Sequence, residues 1–184
     1  MPAWDDNLSE TALLRRLQGG EEMAFELLYE RYQPRVYRYV LRMCGRPETA
    51  DDVVQEVFLS LIRGRESYSP RSGALGSYLY GMARNLMFRQ VGEAAGREPE
   101  EDDSVTEYDP LEGMNREEQV EQVRQALRAL PAHYREVVVL CDMEEMGYAE
   151  AAEALGVAVG TVRSRLHRAR ALLLERLSEE RCRA

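Results

Sequence analysis

The chain contains no lysine, so all 24 of its basic residues are arginines. Its three cysteines, Cys44, Cys141 and Cys182, lie far apart, and neither they nor His133 and His167 have the spacing of a zinc site. An odd number of cysteines without a C-x-x-C pair predicts free thiols in a reducing cytoplasm. No apolar run approaches the ~20 residues needed to cross a bilayer, and the polar start MPAWDDNLSE is not a signal peptide. We therefore expect a cytoplasmic protein without membrane insertion.

The sequence also lacks the residue patterns on which catalysis depends. It has no glycine-rich phosphate loop, no nucleophile elbow, no histidine with an obvious carboxylate partner and no metal-binding set. These absences predict no catalytic residues, no metal and no cofactor. We expect a binding protein and not an enzyme.

No strand-like alternation of any length is present, and the chain has helical patterns with local start and stop signals. Ser9 is placed to cap a first helix that ends at the pair Gly19 and Gly20. Pro34 suits the first turn of a separate helix, since proline is tolerated there. The predicted helices span 10–18, 21–32, 34–43, 47–63, 77–91, 116–130, 134–143 and 149–155, with a last one from about 161. The predicted fold class is all-α.

Acidic residues are concentrated in one segment. The net charge is -9, and between Glu93 and Glu121 there are twelve acidic residues against two arginines. Residues 92–115 also contain prolines and glycines and few apolar residues, which is typical of a flexible linker extended by self-repulsion. We therefore predict two small helical domains, residues 1–91 and 116–184, joined by an acidic flexible linker at 92–115.

Residues 147–170, GYAEAAEALGVAVGTVRSRLHRAR, have the pattern of a helix-turn-helix. Ala152 is small enough for a partner helix to approach, Gly156 can adopt the positive φ of a turn, and Val162 can fill the angle between the helices. In such a motif the second helix enters the major groove of DNA.

The second helix of this motif is rich in arginine, which binds guanine through two hydrogen bonds and also neutralises phosphate. Arg163, Ser164, His167 and Arg168 share one face by their helical spacing, opposite an apolar stripe. A solvated arginine face on an ordinary amphipathic helix is the alternative, and for arginines alone it would be preferred. The helix-turn-helix pattern immediately upstream favours DNA binding.

Several segments in a fixed order resemble one protein family. The C-terminal half contains LPAHYREVVVL, GYAEAAEALGVAVGTV and RSRLHRARALL, and the N-terminal half contains FELLYERYQPRVYRYVLR, DDVVQEVF and SYLYGMARN. Together they resemble a bacterial RNA polymerase sigma factor of the extracytoplasmic-function (ECF) group. The resemblance implies that region two, the N-terminal domain, binds core polymerase and the minus-ten promoter element. It implies that region four, the C-terminal domain, binds the minus-thirty-five element.

The resemblance also implies a role for individual residues. The clamp helices of the large polymerase subunit and its flap are the implied partners, and DDVVQEVF resembles the clamp-binding segment. Its polymerase-binding residues would be Asp51, Asp52, Gln55 and Glu56. Alternatively, Asp51 and Asp52 merely favour a helix N-terminus through its dipole, which does not explain Gln55 or Glu56. The implied minus-thirty-five contacts are Gly160, Thr161, Arg163, Ser164, Arg165, His167 and Arg168.

The glycine-containing segment 64–76 resembles the minus-ten specificity loop, where a base flipped from the non-template strand enters a protein pocket. The implied minus-ten contacts are Tyr68, Arg71, Tyr78, Arg84 and Asn85. Tyr68, Tyr78 and Tyr80 are each more readily explained as core residues, because helical aromatics usually pack inward.

The resemblance implies promoter DNA, core RNA polymerase and an anti-sigma factor as partners. Two other functions remain open. A helix-turn-helix transcriptional activator would explain the C-terminal half but would leave DDVVQEVF and the loop unassigned. A sigma-like adaptor would bind polymerase without melting a promoter.

Overall fold

The computed structural model describes residues 9–64, 74–94 and 114–183, and within these ranges the chain is helical, without strands. The predicted all-α fold class is confirmed. The helices are α1 (Glu10–Gln18), α2 (Glu22–Cys44), α3 (Pro47–Arg63), α4 (Leu75–Ala94), α5 (Met114–Arg128), α6 (Ala132–Val138), α7 (Tyr148–Leu155) and α8 (Val159–Arg183). None of these described helices combines the length and apolar character that a membrane crossing requires.

The first helices begin and end at local capping residues, among them the predicted Ser9. The Ser9 hydroxyl accepts a hydrogen bond from the Ala12 N–H at 3.3 Å, which satisfies one of the free donors at the start of α1. Gly45 ends α2 with a φ of 73°, a conformation that glycine adopts without steric cost. Pro47 then begins α3, where its missing N–H costs nothing.

The break predicted before Pro34 is wrong, because α2 runs through this proline without interruption. Proline removes one hydrogen bond to the carbonyl four residues earlier, which belongs to Glu30. Both Glu30 and Pro34 lie on the exposed side of α2, so water can satisfy that carbonyl. Burial of the opposite face of α2, which includes Leu28, Tyr32 and Val36, outweighs the local cost.

The helix-turn-helix has the predicted arrangement. α7 ends at Gly156, which has a φ of 65°. The Gly156 N–H donates to the Glu153 carbonyl and the Val157 N–H to the Ala152 carbonyl, the two bonds of a Schellman turn. Val162 is fully buried behind this turn, as its proposed place between the two helices requires.

The segment before the helix-turn-helix differs from prediction in detail. The helix expected over 134–143 begins at Ala132 and changes into a π-helical turn, Val139–Met143. In α5, Val120, Val123 and Leu127 have the spacing of an apolar helix face, but Val120 and Val123 are more than two-fifths exposed, whereas Leu127 is buried. The amphipathic pattern of α5 therefore predicts burial correctly only towards its C-terminal end.

The N-terminal helices α1–α4 and the C-terminal helices α5–α8 pack against each other around a shared apolar core. α4 lies along α7, where a Cβ added at Gly81 would be 3.3 Å from the Ala154 carbonyl oxygen. Most of the predicted linker, residues 95–113, lies outside the described residues. So do Tyr68 and Arg71, two of the expected minus-ten contacts.

Candidate nucleic-acid interface

α8 presents a polar face to solvent and an apolar face to the core. Arg163, Ser164, His167 and Arg168 are exposed, as their spacing predicts. The intervening Val162, Leu166 and Ala169 are buried and fix the orientation of the helix. Of the other expected minus-thirty-five contacts, Gly160 is exposed, and Thr161 and Arg165 are half-buried. A row of arginine donors therefore faces outward on a helix whose rotation is set by packing.

The side chains beside this face hold parts of it in place. The guanidinium carbon of Arg163 lies 5.9 Å from the ring centroid of Tyr148 on α7, within the range of a cation–π contact. The Ser164 hydroxyl donates to the Thr161 carbonyl at 3.1 Å. Arg170 donates to both carboxylate oxygens of Asp142, at 3.0 Å and 2.5 Å, and this pairing raises the pKa of Arg170. Arg170 is thus engaged within the protein.

The acidic face of α3 borders an apolar groove. Asp51, Asp52 and Gln55 are exposed and Glu56 is half-buried, so the predicted polar face exists. The groove beside it measures about 270 Å³. It is lined by Phe25, Tyr29, Gln33, Asp51, Val54, Gln55, Phe58, Leu59 and Ile62. An apolar floor with acid and amide groups at its rim suits a helix that carries both arginines and apolar side chains.

The described minus-ten candidates all lie on α4, but their surroundings differ. Asn85 is exposed, and Tyr78 is 38% exposed. Arg84 donates from Nε to Glu136 Oε1 at 2.6 Å, and its guanidinium carbon lies 5.1 Å from the Phe88 ring centroid. Tyr80 is buried, in agreement with its interpretation as a core residue.

A cluster around Glu144 was not predicted from the sequence. Its carboxylate is completely buried and is approached by Arg38 at 3.2 Å and Arg42 at 2.5 Å, both from α2. Arg35 donates to the Glu144 backbone carbonyl at 2.9 Å, and the Tyr80 hydroxyl lies 3.2 Å from the carboxylate. The arginine-rich, acid-free segment 31–46 was the available signal, but it does not reveal which acid the arginines contact.

Burial governs the titration of the tyrosines in this region. Burial raises the pKa of Tyr80, and the neighbouring Glu144 carboxylate raises it further. Burial likewise raises the pKa of Tyr39, with a second contribution from Glu136. The rings of Tyr39 and Tyr80 meet edge to face, with centroids 5.3 Å apart. Both phenols are therefore neutral at physiological pH.

Comparison with known proteins extends over both halves of the chain. Sigma-70 region 2 matches residues 28–96, and Sigma-70, region 4 matches residues 120–173. The ECF RNA polymerase sigma-E factor of Haemophilus influenzae is 33% identical, with 91% of this chain and 95% of the relative covered. The ECF RNA polymerase sigma factor SigE of Mycolicibacterium smegmatis is 35% identical, with 85% of this chain and 62% of that longer relative covered.

The fold is also similar to that of a solved protein, the sigma factor RpoE in complex with the anti-sigma factor NepR from Bartonella quintana. The TM-score is 0.65 at 24% identity, with 84% of this chain and 96% of the other covered. The chain matches sigma-70 regions 2 and 4 in order, and it is one-third identical to the Haemophilus influenzae relative over nearly the whole of both chains. It therefore belongs to the ECF RNA polymerase sigma factors.

Proposed function

We propose that this chain directs core RNA polymerase to a specific set of promoters. The acidic face of α3 and its apolar groove bind the clamp helices, and the exposed face of α8 binds the minus-thirty-five element. The observation that carries this proposal is that both surfaces occur on one chain, each formed by exposed side chains over a packed apolar face. A DNA-binding module alone would not need the first surface.

The chain acts by binding and performs no chemistry of its own. Promoter opening requires only that the protein hold the melted strand more tightly than the duplex, since differential affinity shifts the equilibrium towards the open form. Asn85 and Tyr78 on α4 are suited to contact unpaired bases, because amide groups hydrogen bond to bases and aromatic rings stack on them. We place this activity in the cytoplasm, where core polymerase and DNA are available.

We further propose that an anti-sigma factor restrains the protein. The sigma factor of similar fold from Bartonella quintana was solved with such a partner. The groove on α3 has exposed apolar side chains, including Leu59 and Ile62, that a regulatory helix could cover. Such a partner would compete directly with polymerase.

Transcription in a purified system tests the main proposal. Core polymerase, this protein and genomic fragments of its own host are combined without any other sigma factor, and transcript start sites are mapped. We expect discrete starts that share common upstream elements and that disappear when the protein is omitted.

Two other outcomes would reject the proposal in different ways. Selective starts that require a second sigma factor would indicate a transcriptional activator. Binding to core polymerase without selective starts on any fragment would indicate an adaptor.

A further inference from the structure

The first turn of α4 is held from outside by a carboxylate near the start of the chain. Glu10 Oε1 accepts a hydrogen bond from the Leu75 backbone N–H at 2.7 Å, and Glu10 Oε2 accepts one from the Tyr32 hydroxyl. The N–H groups of a first helical turn have no carbonyl partner within their own helix, and the helix dipole favours a negative charge beside them. α4 therefore receives a charged cap from α1, a distant part of the sequence.

Burial of its surroundings fixes this carboxylate in place. Three leucines of α1 are at most 3% exposed, and Ser9 caps the start of that helix. Tyr32 on α2 is 5% exposed. Burial and the hydrogen bond to Glu10 raise the pKa of Tyr32, so its hydroxyl keeps its proton and remains a donor at physiological pH. Glu10 is thus anchored both by its own helix and by a donor on α2.

Tyr32 also packs directly against the first turn of α4. A Cβ added at Gly76 would lie 3.6 Å from Tyr32 Cε1 and 4.0 Å from the Tyr32 hydroxyl oxygen. The same turn borders a cavity of about 90 Å³, whose lining includes Glu10, Tyr32, Gly76 and Ser77. Groups beside a cavity lack packing contacts on that side. The hydrogen bonds of Glu10 therefore have a larger share in holding this turn than they would in a filled core.

Tyr78 lies in the turn that these contacts hold. Its N–H donates to the Ala74 carbonyl at 3.2 Å, and its side chain is 38% exposed. Leu75 and Gly76 also belong to segment 64–76, which resembles the minus-ten specificity loop. An aromatic ring that stacks on an unpaired base has to be presented in a defined orientation. The orientation of Tyr78 therefore depends on whether the first turn of α4 stays wound.

We infer that Glu10 is a positioning residue for promoter opening: it fixes the first turn of α4 and, with it, the orientation in which Tyr78 meets an unpaired minus-ten base. The Glu10 carboxylate itself does not contact DNA, because its negative charge repels phosphate. Its loss lowers the fraction of molecules in which Tyr78 is correctly oriented, while the exposed face of α8 keeps its affinity for the minus-thirty-five element. The part of this inference that concerns DNA rests on the proposed function, whereas the winding of α4 does not.

Two substitutions at one position separate the hydrogen bonds of Glu10 from its charge. Glu10→Gln keeps an oxygen that accepts from the Leu75 N–H, and its amide nitrogen can donate to the Tyr32 oxygen. Glu10→Ala removes both bonds. Glu22→Ala is the matched control, because Glu22 is an exposed acid in the first turn of α2 and its loss changes the net charge equally. Tyr32→Phe is a milder second test, since it keeps the ring beside Gly76 and removes only one bond.

Hydrogen exchange of the full chain, without DNA or polymerase, measures the winding of this turn. We expect the Leu75 and Tyr78 amides to exchange about tenfold faster in Glu10→Ala, because a lost hydrogen bond makes local opening easier. Glu10→Gln and Glu22→Ala should stay close to the wild-type rates, and Tyr32→Phe should be intermediate. Exchange at Ala83, which is fully buried further along α4, should remain as in wild type in every variant. This distinguishes unwinding of one turn from unfolding.

Opening of the protein's own promoter by core polymerase is the second measurement, with 2-aminopurine in the non-template strand of the minus-ten element as the reporter. If Glu10→Ala leaves one molecule in five correctly wound, apparent opening falls about fivefold. Glu10→Gln should restore opening, and affinity for a minus-thirty-five duplex should be equal in all variants.

The outcomes separate the cap from its role in opening. Wild-type exchange at Leu75 and Tyr78 in both Glu10→Ala and Tyr32→Phe would overturn the cap. Faster exchange with wild-type opening, or an equal loss of opening in Glu22→Ala, would overturn the positioning role. A wild-type protein that opens no promoter would reject the proposed function and the role of Tyr78 with it, whereas the exchange rates would still decide whether Glu10 holds α4.

Discussion

Arginines in α2 and in α8 have different electrostatic surroundings. Arg42 of α2 is less than one-third exposed and lies 2.5 Å from the buried Glu144 carboxylate. Most of its positive charge is therefore compensated within the protein. Arg168 of α8 is exposed, on the outer face of the helix-turn-helix. Arginine in the first setting holds helices together, whereas in the second it remains available to phosphates and guanine.

Replacement of Arg168 by alanine should weaken binding to a minus-thirty-five duplex by about 1–3 kcal/mol, the usual value of an arginine contact to a base edge. Fluorescence anisotropy with cognate and scrambled duplexes at fixed salt measures this change. Arg176→Ala is the matched control, since Arg176 is exposed on α8 about two turns further along. Equal affinities of Arg168→Ala and wild type for the cognate duplex would remove Arg168 from the interface.

At the scale of helices, α1 supports the start of α4 through one side chain. Glu10 Oε1 accepts a hydrogen bond from the Leu75 backbone N–H at 2.7 Å, and its other oxygen accepts one from the Tyr32 hydroxyl. Leu75 is the first residue of α4, where the N–H groups have no partner within the helix. Glu10 thus caps a helix that begins 65 positions later in the chain.

Glu10→Ala should lower the free energy of unfolding by about 1–3 kcal/mol, because it leaves the Leu75 N–H and the Tyr32 hydroxyl without an acceptor. Urea denaturation followed by circular dichroism measures the change. Glu22→Ala is the control, since Glu22 is an exposed acid in the first turn of α2 and reports only the helix-dipole effect. Equal losses in the two variants would show that the contacts of Glu10 add no stability.

Charge reversal on α3 should weaken polymerase binding. Glu56→Arg replaces an acid beside the groove by a positive charge, which repels the arginine-bearing partner helix that we propose. The dissociation constant for core polymerase should therefore rise at least about tenfold. The half-buried Glu56 also pairs with the exposed Arg63 at 3.5 Å. The double change Glu56→Arg with Arg63→Glu restores that pair and should still bind weakly. Wild-type co-purification of Glu56→Arg with core polymerase would reject the assignment.

Local signals were sufficient to predict most helix ends, because the physical cause lies within a few residues. Ser9 supplies a capping oxygen, and Gly45 and Gly156 adopt the positive φ that ends a helix. The continuity of α2 through Pro34 could not be predicted this way, since it depends on which side of the helix faces water. The Glu144 cluster joins residues more than 100 positions apart, and no local pattern specifies that pairing.

At the scale of the whole molecule, tyrosines occupy the core where the two halves meet. Tyr39 is fully buried, and Tyr32 and Tyr80 are at most 5% exposed. Burial raises the pKa of all three above the ordinary value of 10.0. In the unfolded chain these phenols ionise near pH 10, whereas in the folded chain they keep their protons. Stability is therefore complete below pH 10 and is lost as the pH rises further, since the folded state then binds more protons.

The free energy of unfolding should fall between pH 10 and 11.5, by up to about 1.4 kcal/mol per pH unit for each buried tyrosine. Urea denaturation across this range measures the slope. Because the chain has no lysine and arginine stays charged, mainly tyrosine and cysteine titrate in this pH range. Tyr39→Phe removes one of the three buried phenols and should therefore reduce the slope by about a third. The Tyr39 hydroxyl has no hydrogen-bond partner within the described part of the chain, so no such bond is lost in this variant. A stability that does not change up to pH 11.5 would contradict this account.

The close approach of α4 to α7 at Gly81 has a consequence for how such a protein can evolve. Each larger residue at this position would push the helices apart by a graded amount, without altering any group expected to touch promoter or polymerase. Substitution at Gly81 would therefore change how the two halves of the chain pack, while the exposed arginines of α8 and the acidic face of α3 stay as they are.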